Sequence, residues 1–229
     1  MKRLVQAGFI AGLLATAGAH AAAAQTTAKP EATTNGKAAP TSVDTSGPSQ
    51  LIESSANLLL AGIDQHRAEW RKNPEGLYKL VGETLLPNFD TAYAAQLVLG
   101  PHWRNASADQ RKRFVDAFYN SLLYTYGDAM VDFTANRLKV FPTKTDATTE
   151  KATVRTEITR SNGTKVAVNY SLRKTNGAWK AWDVVIDGIS YVKSYREDYG
   201  AEVQQKGLDS VIQRLEAKAS AAKAGKPAP

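Results

Sequence analysis

Residues 151–188 read KATVRTEITRSNGTKVAVNYSLRKTNGAWKAWDVVIDG, and the period of this stretch decides the fold class. Ala152, Val154, Thr156 and Ile158 alternate with Thr153, Arg155, Glu157 and Thr159. Val166, Val168, Tyr170 and Leu172 alternate with Lys165, Ala167, Asn169 and Ser171. A period of two belongs to a strand with one apolar and one polar face. Ser161-Asn162-Gly163-Thr164 and Lys174-Thr175-Asn176-Gly177 are hairpin signals, because Asn-Gly adopts the positive φ that a tight turn between twisted strands requires. A third strand covers 179–186, with Trp179 and Trp182 on opposite faces by parity. Residues 138–141 supply a fourth strand, and Gly188 ends the sheet.

Upstream the period lengthens to that of a helix. Leu51, Ile52, Leu59, Ile63 and Trp70 form one stripe over 49–72, stopped by Asn73-Pro74. A short helix with Leu77, Val81 and Leu85 follows before Pro87. Another covers 89–99 and ends at Gly100-Pro101. Ser107-Ala108-Asp109-Gln110 is a capping box, in which the serine hydroxyl and the glutamine amide cover exposed helix amides. It opens a helix carrying Phe114, Phe118, Leu122 and Tyr126 at steps of four. After the strands, 192–205 and 208–215 read as helices parted by Gly207. The expected class is α+β, a curled antiparallel sheet of about four strands with helices over one face. Such a sheet encloses a cavity as readily as a solid core, and periodicity does not separate the two.

The ends differ from this centre. Met1-Lys2-Arg3, an apolar run to about Ala17 and the small residues up to Ala24 have the pattern of a signal peptide, residues 1–24, cleaved between Ala21 and Ala24. The run falls short of the ~20 apolar residues of a membrane span. Residues 25–48 hold almost no large apolar side chain and read as a disordered linker, and residues 216–229 as a disordered tail. The folded domain is then 49–215. The expected location is the periplasm.

Charge and motifs exclude much. The chain has 229 residues, a net charge of +7 and no cysteine, so disulfides, thiol nucleophiles and thiolate metal sites are absent. Arg111-Lys112-Arg113 is the tightest cationic run, but Asp109 and Asp116 flank it, as on a solvated helix face; nucleic acid is not an expected partner. His66 and His102 lie in different elements without ligand spacing, so no metal or other cofactor is expected. No nucleophile elbow and no glycine-rich phosphate loop occurs. Asp183, between apolar stretches of a strand, reads as a hydrogen-bond anchor for a neighbouring turn. The residues themselves leave open an enzyme using Asp183 with a tyrosine, or a chaperone of apolar segments.

Four stretches carry a resemblance. Leu86-Pro87-Asn88-Phe89-Asp90, then Val98-Leu99-Gly100-Pro101-His102-Trp103-Arg104, then Gln110-Arg111-Lys112-Arg113-Phe114 resemble the N-terminal half of the MlaC family, also called the toluene-tolerance or ABC-transporter auxiliary family. Trp179-Lys180-Ala181-Trp182-Asp183-Val184-Val185-Ile186-Asp187-Gly188-Ile189-Ser190-Tyr191, closing with Tyr195-Arg196, resembles its most specific stretch. Ala181 replaces a commonly larger aliphatic residue. The resemblance implies no enzyme but a periplasmic phospholipid carrier, shuttling lipid between an outer-membrane lipoprotein complex and an inner-membrane ABC transporter with an MCE-type subunit. That traffic maintains outer-membrane lipid asymmetry. It also implies acyl chains held in an apolar cavity between sheet and helices. The expected lipid-binding residues are Val154, Ile158, Val166, Val168, Tyr170, Trp182, Val184 and Ile186 on the strands, faced by Phe118, Leu122, Ile189 and Tyr191. Ordinary core packing is the competing use of each. Asp183 and Arg196 are expected as structural partners rather than headgroup ligands.

Overall fold

The computed structural model describes residues 42–132, 138–143, 150–159 and 163–224. The signal-peptide reading and most of the linker reading lie outside the described residues. Helix α1 (Pro48–Trp70) starts with proline in its first turn, where the missing amide loses nothing. Helix α2 (Glu75–Thr84) and a 3₁₀ turn (Leu86–Asn88) lead to α3 (Thr91–Leu99), whose Asp90 cap accepts from the Tyr93 amide at 3.2 Å. Gly100 then takes φ 53° and ψ −123°, a conformation closed to side chains, and starts the short α4 (Pro101–Asn105).

Helix α5 (Ala108–Met130) opens on the expected capping box: the Ser107 amide donates to Gln110 Oε1 (2.9 Å) and the Gln110 amide to Ser107 Oγ (3.1 Å). It runs on through Gly127. A Cβ there would lie 2.7 Å from the Tyr78 ring of α2, so the glycine permits close approach of the two helices. Helices α6 (Tyr191–Lys206) and α7 (Leu208–Lys223) complete a helical core of Ala95, Val98, Phe114, Phe118, Tyr199 and Val211 with their neighbours.

The strands are β1 (Leu138–Val140), β2 (Lys151–Thr159), β3 (Lys165–Thr175), β4 (Ala178–Ile186) and β5 (Ile189–Ser190), an antiparallel meander in chain order. Five strands replace the expected four because Asp187-Gly188, with φ of 49° and 84°, does not end the sheet. It forms a two-residue hairpin turn that pairs Ile186 with Ile189. The Asn176-Gly177 turn is formed as expected, with φ of 53° and 80°. Ser161 and Asn162 of the earlier Asn-Gly turn lie outside the described residues.

Three expectations need correction. Register slips between β3 and β4: Ser171 faces Asp183 but Leu172 faces Ala181, so Trp182 is the extra residue of a bulge. Alternation restarts there. Trp179, Ala181, Val184 and Ile186 share the face of Leu172 and Tyr170, whereas Trp182 turns to the helical core and meets Tyr93 edge-on at 5.6 Å. The tail boundary also moves. Helix α7 continues to Lys223, with Ala219 buried and Glu216 bound to Arg113 through two hydrogen bonds of 3.0 and 2.8 Å. At the other end Val43 packs against the cluster beneath α1, and the Asp44 amide donates to Ser54 Oγ at 2.8 Å, so 42–48 join the fold.

The family stretch around Phe89 has a visible job. Phe89 forms a parallel bridge to Ala181, and the Asp90 amide donates to the Ala181 carbonyl at 2.6 Å. The Asp90 carboxylate accepts from Thr175 Oγ1 at 2.7 Å. One dipeptide thus caps α3 and ties it to β4 at the bulge.

Candidate functional site

The inner sheet face is a panel assembled by register. Val154, Tyr170 and Val184 form one row across β2, β3 and β4; Thr156, Val168 and Ile186 form the next; Ile158 and Val166 form a third. Leu138 and Val140 of β1 extend it opposite Ile158 and Thr156. Thr156 is the polar member, and its hydroxyl donates to the Val168 carbonyl at 2.7 Å, which removes the penalty of an unpaired hydroxyl from an apolar wall. Thr156 was visible in the parity of its strand but is not apolar, and Leu138 and Val140 lie in the expected fourth strand, whose register against β2 parity does not give.

One end of the panel is closed. Leu51 and Ile52 of α1 pack with Val154, Leu172, Trp179 and Ala181 into a cluster of buried side chains. Val154 is fully buried there, a plug rather than an open wall. Tyr170, which packs against that cluster, and Val184, Ile186 and Ile158 are half-buried although they face inward, whereas Thr156, Val166 and Val168 of the same rows are buried. Tyr170 is the informative one. Its phenol lies deep enough for burial to push its pKa up to about 12, yet the residue keeps open surface. Tyr170 thus stands at the border between the packed cluster under α1 and the half-buried part of the panel. Tyr119 of α5 is likewise half-buried with its phenol pushed up to about 12 by burial.

The helical residues expected opposite the sheet are placed elsewhere. Phe118 stacks on Phe114 at 5.7 Å and meets Tyr195 and Tyr199 edge-on, inside the helical core, and Leu122 packs against the same cluster. Periodicity identified the apolar stripe of α5 but not which layer it faced. Ile189 is 62% exposed because the extra hairpin carries it out to the tip of β5. Tyr191 is half-buried between Tyr126 and Tyr195, and burial raises its pKa, with Tyr126 adding to it. The Tyr126 and Tyr195 hydroxyls meet at 3.1 Å across the α5–α6 seam.

Asp183 anchors a helix. It is buried and accepts from Ser190 Oγ (2.6 Å) and from the Val192 amide (3.0 Å), while Ser190 Oγ accepts from the Lys193 amide (3.1 Å). Both carboxylate oxygens are therefore engaged at the start of α6, where a negative charge suits the helix N-terminus. Arg196 lies over Gly100. Among the described residues no group of three or more His, Cys, Asp or Glu is placed to hold a metal, and no helix is long and apolar enough to cross a membrane.

A family model described as MlaC protein matches residues 53–217. Toluene tolerance protein ttg2D of Pseudomonas putida is 26% identical over 163 residues, covering 71% of this chain and 75% of its own length. The intermembrane phospholipid transport system binding protein MlaC of Haemophilus influenzae is 25% identical over 183 residues, covering 79% and 86%. A solved phospholipid-binding protein from Ralstonia solanacearum, in complex with a phospholipid, has the same fold. It aligns with a TM-score of 0.68 at 23% identity over 75% of this chain and 96% of that one.

Proposed function

The chain belongs to the MlaC family, and from that premise we propose that it binds phospholipid by its acyl chains and carries it between membranes. The observation that carries this reading is the half-open apolar panel around Tyr170, closed at one end by α1. Each methylene moved from water onto such an apolar panel contributes about 0.8 kcal/mol, so acyl chains are held without any charged ligand. The headgroup then stays in water, and selectivity among headgroups is weak. Binding of this kind needs no catalyst.

The relatives support the same reading. One is named for phospholipid transport between membranes, and the structural relative holds a phospholipid. In this proposal residues 1–24 export the chain to the periplasm. There it exchanges lipid with an outer-membrane lipoprotein complex and with the MCE-type subunit of an inner-membrane ABC transporter, maintaining outer-membrane lipid asymmetry. Native mass spectrometry of freshly purified protein tests the core of it. A phospholipid mass on the folded chain is expected. A lipid-free chain, or one that carries peptide instead, would overturn it.

A further inference from the structure

The opposite face of the same sheet has a different character. Lys139, Lys151, Arg155 and Lys165 are exposed on the outward side of β1–β3, and Arg173 shares that side at the far end of β3. Lys180 of β4 stands opposite Arg173. Against them stand Glu157, paired with Lys165 at 3.0 Å, Asp90, 3.6 Å from Arg173, and Asp187 at the hairpin tip, which accepts from the Ala167 amide. The outward positions between the cations of β2 and β3 are Thr153, Ala167, Asn169 and Ser171, none of them a large apolar side chain, and Val185 of β4, opposite Asn169, is half-buried.

We propose that this outward face docks the protein on an anionic lipid bilayer. A protein interface of useful affinity is built around buried aromatic or aliphatic anchors and is depleted in lysine. This face has the reverse composition. A layer of headgroup phosphates asks only for cations spread over a broad surface, and Lys or Arg at successive outward positions supplies that. Protection of a sheet edge explains Lys139 on β1, but not Arg155 on an interior strand. Arg173 is taken up by the fold, stacked on the Tyr93 ring at 4.1 Å beside Asp90, and Lys139, Lys151, Arg155 and Lys165 carry the charge of the face. The inference goes beyond the carrier reading and does not rest on it, because the cations point away from the hollow.

Flotation with vesicles of phosphatidylcholine alone, and of phosphatidylcholine mixed with phosphatidylglycerol, tests it at low salt. The protein should float with the mixed vesicles, stay behind with the neutral ones, and be released as NaCl is raised. Reversing two charges in Lys139→Glu/Arg155→Glu should weaken partitioning about tenfold or more. Glu157→Gln, which removes a carboxylate from the same face, should strengthen it. Both variants should keep the native melting temperature and the co-purified lipid, so a failure here is distinguishable from a failure of the carrier reading. Should the double variant not fold, Thr153→Glu adds a negative charge on the same face at an exposed side chain and should weaken binding likewise. Equal binding to both vesicles overturns the proposal. So does absence of binding at low salt, the outcome expected if the face serves an acidic protein, and so does a folded charge-reversed variant that floats as well as the native chain.

Discussion

At the scale of single residues, buried polar groups are the sensitive points. Asp183 takes two hydrogen bonds from the β5–α6 junction inside the protein. Asp183→Ala leaves the Val192 amide without its partner and should cost about 1–3 kcal/mol, read as a lowered midpoint in urea. Gly100, under the exposed Arg196, is a sensitive point of another kind. A Cβ on Gly100 would sit 3.1 Å from the Arg196 Nε, at a φ of 53°. Gly100→Ala should therefore lose about 1–3 kcal/mol through backbone strain. The tyrosines give a pH dependence. Burial pushes Tyr119, Tyr170 and Tyr199 from an ordinary 10.0 to about 12, and at Tyr199 it outweighs the opposing pull of Arg214. These phenols are neutral in both states below pH 10, so their contribution is complete there. As pH rises toward 12 the unfolded chain ionises first and stability is lost. Thermal melts followed together with phenolate absorbance should show a falling midpoint across that window. Nine tyrosines all ionising near pH 10 in a chain that stays folded would contradict the burial.

At the scale of elements, the C-terminal helix separates composition from structure. Its end is rich in Ala and Lys, a composition that suits a loose tail and also suits a helix, since both residues are strong helix formers. Position settles the matter: Val211, Leu215 and Ala219 lie four apart on one stripe, and all three are buried. Truncation after Leu215 should lower the melting temperature by several degrees, while truncation after Lys223 should leave it unchanged. Equal melting of the two would show that the last two turns hold nothing. The strands and helices were legible because each repeats its period over many residues. The bulge at Trp182 was not, because counting by two carries no mark of an inserted residue. The same holds for Phe118: its stripe on α5 was plain, but which layer the stripe faces depends on how α3, α6 and α7 stack, and no local pattern encodes that. The Asp187-Gly188 hairpin had a turn signal of the same kind as Asn176-Gly177 and was passed over because the strand after it has only two residues.

At the scale of the whole molecule, the apolar content is divided between a helical core that packs tightly and a sheet face that mixes buried with half-buried side chains. The row Val154, Tyr170, Val184 crosses this division, because it begins beneath Leu51 and Ile52 and ends on the half-open part of the panel. Two residues of the same type, on the same face and in the same row, thus allow one substitution to be compared in two settings. Val154→Trp forces an indole into a site already filled by α1 and should cost about 1–3 kcal/mol or more. Val184→Trp places the indole where acyl chains are proposed to lie, so the fold should survive while the lipid that co-purifies is reduced or lost. Denaturant midpoints and native mass spectra of the two variants check both halves of the expectation. Loss of stability in both would mean that the panel is solid core throughout. Lipid retained in a stable Val184→Trp would mean that the acyl chains lie elsewhere.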